Sequence, residues 1–205
     1  MRTLLQNARC IVTCDDHDTI LRNADVLMQD GVIAAIGKLK NVQADEVIDA
    51  SRLILYPGLI NTHHHLYQYF TRNLRHVQNL ELFDWLTALY DIWAHLNEDT
   101  VRLSSLSGMG ELMKYGCTTC FDHHYVFPNG AGDLLAAQFS AAEELGIRMV
   151  SSRGSMSLSR KDGGLPPDSV VQTTDEILRD SKEAIERYHD ASDFSMRQVV
   201  LAPCS

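Results

Sequence analysis

The stretch Pro57–His65, P-G-L-I-N-T-H-H-H, restricts this chain more than any other. An apolar run, Leu53-Ile54-Leu55-Tyr56, stands before it, and Pro57-Gly58 breaks that run. Leu59-Ile60 is too short for a helix and reads as a buried strand of the parallel type. Three histidines follow at its carboxyl end. Side chains alternate across a strand, so His63 and His65 are expected on one face and His64 on the other. Two imidazoles on one side of a strand end make two arms of a first-row metal site. A lone histidine there would more simply be a loop or satisfied core residue; the pair at His-x-His spacing behind an apolar strand favours metal.

The rest of the chain is placed relative to that strand. Residues 1–56 read as short strands: Thr3–Gln6, Cys10–Thr13, Glu46–Asp49 and Leu53–Tyr56, with a hairpin of Val26–Met28 and Val32–Ile36 turning at Asp30-Gly31. So small a sheet needs another layer to cover its face. Leu66–Arg75 follows the histidines and carries Gln68 near the expected metal face. Leu80–Leu96 has helical apolar spacing. Asn97-Glu98-Asp99 reads as a cap and acidic first turn of a helix reaching about Tyr115, where Gly116 stops it. Cys117–Phe121 is a second barrel-type strand ending in Asp122-His123-His124, and of these His123 is the preferred site residue; Asp122 could bind, orient a ligand histidine or brace a loop. Gly132–Gly146 is a helix, Ile147–Ser152 a strand, Ser157–Val170 a long loop, Thr174–Tyr188 a helix and Val199–Ala202 a strand. Strand and helix alternate from Pro57 onward, a βα pattern with parallel pairing.

P-G-L-I-N-T-H-H-H-L resembles the first-strand signature of the amidohydrolase superfamily. With N-T-H-H-H-L-Y-Q, W-L-T-A-L-Y-D-I-W and D-H-H-Y-V-F-P, the chain most resembles the branch containing 8-oxoguanine deaminases and triazine hydrolases. The resemblance implies an α/β fold: a partial (β/α)8 TIM barrel of about four βα units in residues 57–205, with residues 1–56 an incomplete portion of a small β-sandwich. It implies a metal-dependent aminohydrolase acting on a small heterocycle, 8-oxoguanine first, with triazines, guanine, cytosine and adenosine derivatives as alternatives. His63 and His65 would hold one divalent metal, zinc or else iron. Substrate contacts are expected from Gln68 and His123, from Trp93 in the place of a nucleoside-contacting acidic motif, from Arg153 after the third strand, and from Cys204 where relatives often have histidine. A homo-oligomer is implied for the longer parent.

Composition closes off other classes. The net charge of −9 disfavours nucleic acid and anionic membrane as partners. No apolar run has the length of a membrane span, and the amino terminus lacks a signal-like apolar region, so the expected location is cytoplasmic. Five cysteines form no disulfide framework. Cys117 and Cys120 have C-x-x-C form but sit in a β-branched run, which favours inert strand thiols.

Length sets the remaining expectation. A complete barrel takes about 250 residues by itself, whereas this chain has 205 in all. A catalytic zinc site needs three protein ligands and an open position, where water is acidified to a pKa of about 7. His63 and His65 supply two ligands. The resemblance places the superfamily's H-x-x-E proton shuttle and its later histidines and aspartate at the fifth to eighth strands, past the four read here, so no catalytic acid or base is expected within this sequence. The chain is expected to be an amino-terminal, inactive portion of an enzyme. Two other classes compete: a non-catalytic scaffold protein on the same fold, and a self-sufficient metal module drawing further ligands from Asp122, His123, His124 or Cys204.

Overall fold

A computed structural model describes residues 1–204. The chain divides into two compact units, Met1–Gly58 and Leu59–Ser205.

The first unit is all β. Strands β1 (Arg2–Ala8), β4 (Ala24–Gln29), β5 (Val32–Gly37) and β6 (Glu46–Asp49) form a sheet ordered β5-β4-β1-β6. A smaller sheet holds β3 (Ile20–Leu21), β2 (Cys10–Val12) and β7 (Ile54–Leu55). The β4–β5 hairpin turns at Asp30 and Gly31, both at positive φ (51° and 86°), which the Asp-Gly pair tolerates. Ala8, Ile11, Ala24, Val26 and Ala50 form its core. Cys14 lies beyond β2 at φ 52°. The two-residue strand β3 is too short to show a periodicity in the sequence.

The second unit carries the parallel sheet. Its strands are β8 (Leu59–His64), β9 (Cys117–Asp122), β10 (Arg148–Ser155) and β11 (Arg197–Pro203), ordered β11-β10-β9-β8 and paired in parallel throughout. Helices α1 (Leu82–Trp93), α2 (Glu98–Lys114), α3 (Leu134–Leu145) and α4 (Thr174–Tyr188) occupy the crossovers. The sheet is open; no barrel closes among the described residues.

The helix bounds follow local chemistry. The Asn97 side chain accepts the Thr100 N–H at the start of α2, and Asp133 accepts the Ala136 N–H at the start of α3. Gly146 ends α3 in the left-handed conformation, φ 71°. Thr173 and Glu176 make a reciprocal capping box on α4. Between the helices and the sheet lies an apolar core containing Leu66, Met109, Cys120, Phe139, Met149 and Val199. Strand β8 runs on through the polar residues to His64, because Asn61 pairs with Cys120 and His64 with Asp122. Pairing with a neighbour, not apolarity, sets its length.

Candidate metal and substrate site

The carboxyl ends of β8 and β9 bring three imidazoles together. His63 Nε2 and His65 Nε2 lie 3.3 Å apart. His123 stacks on His63 with ring centroids 4.4 Å apart, and meets His65 edge-on. His64 points away, its ring beside Gly108 of α2. Among the described residues no group of three or more His, Cys, Asp or Glu side chains is placed to hold a metal ion.

The tautomer of His65 follows from its partner. Nδ1 lies 2.8 Å from the carbonyl oxygen of His123. A carbonyl can only accept, so Nδ1 carries the proton and Nε2 presents its lone pair. Burial lowers the pKa of His65, with the neighbouring histidines adding to that, although the His123 carbonyl favours its charged form. Burial also lowers the pKa of His123, with His63 contributing. These rings are therefore held toward the neutral state that metal coordination requires.

Behind the cluster the strand residues alternate faces. Asp122 and His124 are fully buried on the helix-covered side. Asp122 accepts the Leu66 N–H at 2.6 Å and the Gln138 amide at 2.5 Å. Burial pushes its carboxyl up to about 7, against those hydrogen bonds. Burial pushes His124 down to about 3, with Arg153 contributing. Tyr67 and Tyr125 wall the other flank of His65, with ring centroids 6.2 and 5.4 Å from it.

The substrate contacts expected from the sequence divide. Gln68 lines an open cleft with Thr71, Arg72, Val77 and Trp85, and its amide nitrogen is 3.3 Å from the Tyr67 hydroxyl. Cys204 is exposed; its N–H donates to the Ser155 carbonyl at 2.8 Å. Trp93 ends α1. It is 1% exposed, packed edge-on against Tyr67, Trp85 and Tyr90, and its Nε1–H donates to Thr71 Oγ1 at 3.2 Å. Its indole has no open face for a ring to stack on, because packing in the core turns α1 so that Trp85 borders the cleft. Arg153 lies within β10. It lies over the Phe127 ring at 4.0 Å, 3.5 Å from Asp180 of α4, and donates to Gln172. Strand alternation turns it to the helix-covered side, away from the imidazoles.

Sequence reasoning overlooked Tyr67, Tyr125 and Gln138. Tyr67 and Tyr125 follow His65 and His123 by two positions, a spacing that could have marked them. Gln138 on α3 carries no local signal. Cys117 and Cys120 are free thiols buried in β9. No helix among the described residues is long and apolar enough to cross a membrane.

Comparison with known proteins places this geometry in context. The model of the Amidohydrolase family matches residues 54–203. The chain is 42% identical to an 8-oxoguanine deaminase of Pseudomonas aeruginosa, covering 100% of this chain and 45% of that protein. It is 38% identical to a hydroxydechloroatrazine ethylaminohydrolase of Pseudomonas sp. strain ADP, covering 99% of this chain and 45% of the relative. The solved atrazine chlorohydrolase of Arthrobacter aurescens TC1, complexed with zinc, superposes with a TM-score of 0.92 at 31% identity over 99% of this chain and 47% of that one. The chain thus spans about half the length of the curated relatives it matches.

Proposed function

This chain belongs to the Amidohydrolase family, and on that premise we propose that it forms the amino-terminal part of a metal-dependent aminohydrolase that removes an amino group from a purine-like ring, with 8-oxoguanine as substrate. The observation that carries the reading is the pairing of His63 and His65, with Nε2 atoms 3.3 Å apart on one face of a strand end. Identity of 42% to an 8-oxoguanine deaminase supports the choice of ring.

The residues present fit one divalent ion as two of its ligands. The donor set is neutral imidazole, which suits zinc and iron, and His65 turns its Nε2 lone pair toward His63 Nε2 because Nδ1 is bonded to the His123 carbonyl. When bound, such an ion supplies Lewis acidity at neutral pH. The chain's own residues do the remaining positional work. The His123 carbonyl holds the His65 ring in its tautomer, and His123 stacks on His63. Tyr67 and Tyr125 exclude water from one flank of His65. Gln68, at the cleft, offers an amide donor and acceptor to the polar edge of a heterocycle, with the Trp85 ring bordering the same cleft. Cys204 and His123 would flank the ring. Further ligands and the proton-transferring acid belong to the rest of the parent protein, and the Met1–Gly58 sheets to a β-sandwich completed by it.

Ammonia release from 8-oxoguanine by the full-length parent, measured against guanine and hydroxylated triazines, tests the reading. 8-Oxoguanine should give the highest kcat/KM. A preference for triazines would transfer the function to the second reading, which the 38% identical ethylaminohydrolase favours. No release from any of these rings would reject both.

A further inference from the structure

The polar groups behind the histidine cluster form one connected set, and all of it is buried. Asp122, Gln138 and Ser151 each have no exposed surface. Asp122 Oδ1 accepts the Leu66 N–H at 2.6 Å and Oδ2 accepts Gln138 Nε2 at 2.5 Å. The Gln138 amide oxygen accepts the Ser151 hydroxyl at 2.6 Å. When ionised the Asp122 carboxylate only accepts, so the NH2 end of Gln138 faces Asp122, its oxygen faces Ser151, and Ser151 donates. Each orientation follows from the one before it, starting at Asp122.

Apolar side chains of similar volume would fill this seam without the cost of burying a carboxylate and an amide. What the polar set adds is a fixed peptide plane. The Leu66 N–H belongs to the peptide that follows His65. His65 stands at φ −131° and ψ 80°, between the end of β8 and the 3-10 turn Leu66–Thr71. The ladder with β9 ends at the pair His64–Asp122. Asp122 takes over where the ladder stops. The next residue of the same strand end then fixes the ring: the His123 N–H donates to the His64 carbonyl at 2.7 Å, and the His123 carbonyl accepts from His65 Nδ1 at 2.8 Å.

We infer that Asp122 is a positioning residue for His65, acting through the Leu66 peptide and held in place by Gln138 and Ser151. Its consequence for metal binding rests on the function proposed above; its consequence for the His65 ring does not. Two substitutions separate geometry from charge. In Asp122→Asn the introduced amide can accept the Leu66 N–H through its oxygen and donate to a turned Gln138 amide, whose NH2 then donates to Ser151. Asp122, Gln138 and Ser151 stay satisfied, with His124 Nδ1, 3.4 Å from Gln138 Nε2, then carrying its proton toward the turned oxygen. In Asp122→Ala the Leu66 N–H loses its acceptor.

The chain labelled with 15N-histidine provides the test, since long-range 1H–15N spectra distinguish the two tautomers of His65. The unsubstituted chain and Asp122→Asn should both show the Nδ1–H form. Asp122→Ala should show a mixture, and its affinity for zinc alone, measured against a chelating dye, should fall about 10–100-fold. Should Asp122→Ala fail to fold, Gln138→Met should show the same mixing to a smaller extent. A folded variant of either kind that keeps a pure Nδ1–H tautomer and the unsubstituted zinc affinity overturns the inference, as does Asp122→Asn behaving like Asp122→Ala. If His63→Ala and His65→Ala bind zinc as the unsubstituted chain does, the metal reading fails separately, and the His65 spectra alone decide the positioning role.

Discussion

The two faces of β9 are made differently. On the helix-covered face Cys120, Asp122 and His124 have no exposed surface. On the other face Thr119, Phe121 and His123 are half-buried, and along β8 Leu59 and Ile60 are 61% and 65% exposed. Residues of the first face find their partners within this chain, from α2, α3 and β10. Residues of the second converge on one another, as the three imidazoles do. One face is therefore packed within the chain and the other left open around the imidazoles, and substitutions should separate them.

The largest effect should come from the packed side. Phe139 is 7% exposed in the core beside Cys120 and Met149, so Phe139→Ala should cost about 3–5 kcal/mol by urea unfolding. A loss under 1 kcal/mol would mean that this layer is not close-packed.

Next is Gly154. A Cβ there would stand 2.4 Å from Tyr125 Cβ and 2.7 Å from the His124 carbonyl oxygen. The Gly154 N–H also donates to that oxygen at 2.9 Å. Gly154→Ala must push β10 off the β9 end and should cost about 1–3 kcal/mol or more. Unchanged unfolding midpoints would show that the two segments can separate freely.

The buried pair titrates in opposition. His124 is held down to about 3 from an ordinary 6.5, so it is neutral in the fold, and its contribution, present above 6.5, is lost as pH falls. Asp122 is raised to about 7 from an ordinary 3.8, so its contribution is present below 3.8 and is lost as pH rises toward 7. Between these ordinary values the two slopes oppose and offset each other. Asp122→Asn leaves His124 alone, and stability should then fall by up to about 1.4 kcal/mol per unit as pH drops below 6.5. Urea midpoints taken across that window read the slope directly; a profile for Asp122→Asn as flat as the parent's would contradict the opposition.

The smallest stability effect should come from the open face. His63→Ala removes an exposed side chain and should change stability by no more than about 0.5 kcal/mol, while abolishing zinc binding in a chelator competition. A large stability loss with zinc binding intact would reverse the division between the faces.

Much of this was readable in advance wherever the deciding interactions are local. The His-x-His spacing predicts a shared face because strand alternation is a property of the backbone. Asp30-Gly31, Asn97 and Gly146 mark a turn, a start and a stop because each supplies its own conformation or cap. Trp85 and Trp93 were harder, since both lie on one amphipathic helix. Which ring is buried depends on how α1 is turned against Tyr67, and that partner is distant in sequence. Arg153 shows a related effect: just past the expected strand end, it is still within β10, where alternation sends it toward α4.

From residues alone came the alternating βα order, the strand that carries the histidines and their common side, because each depends on neighbours within a few positions. Tertiary structure decided that Asp122 meets Leu66 and Gln138, and that the His123 carbonyl selects the His65 tautomer. Those contacts span 56, 16 and 58 positions, and a hydrogen bond needs its partner within about 3 Å, a condition that only the completed packing of β8, β9 and α3 can meet.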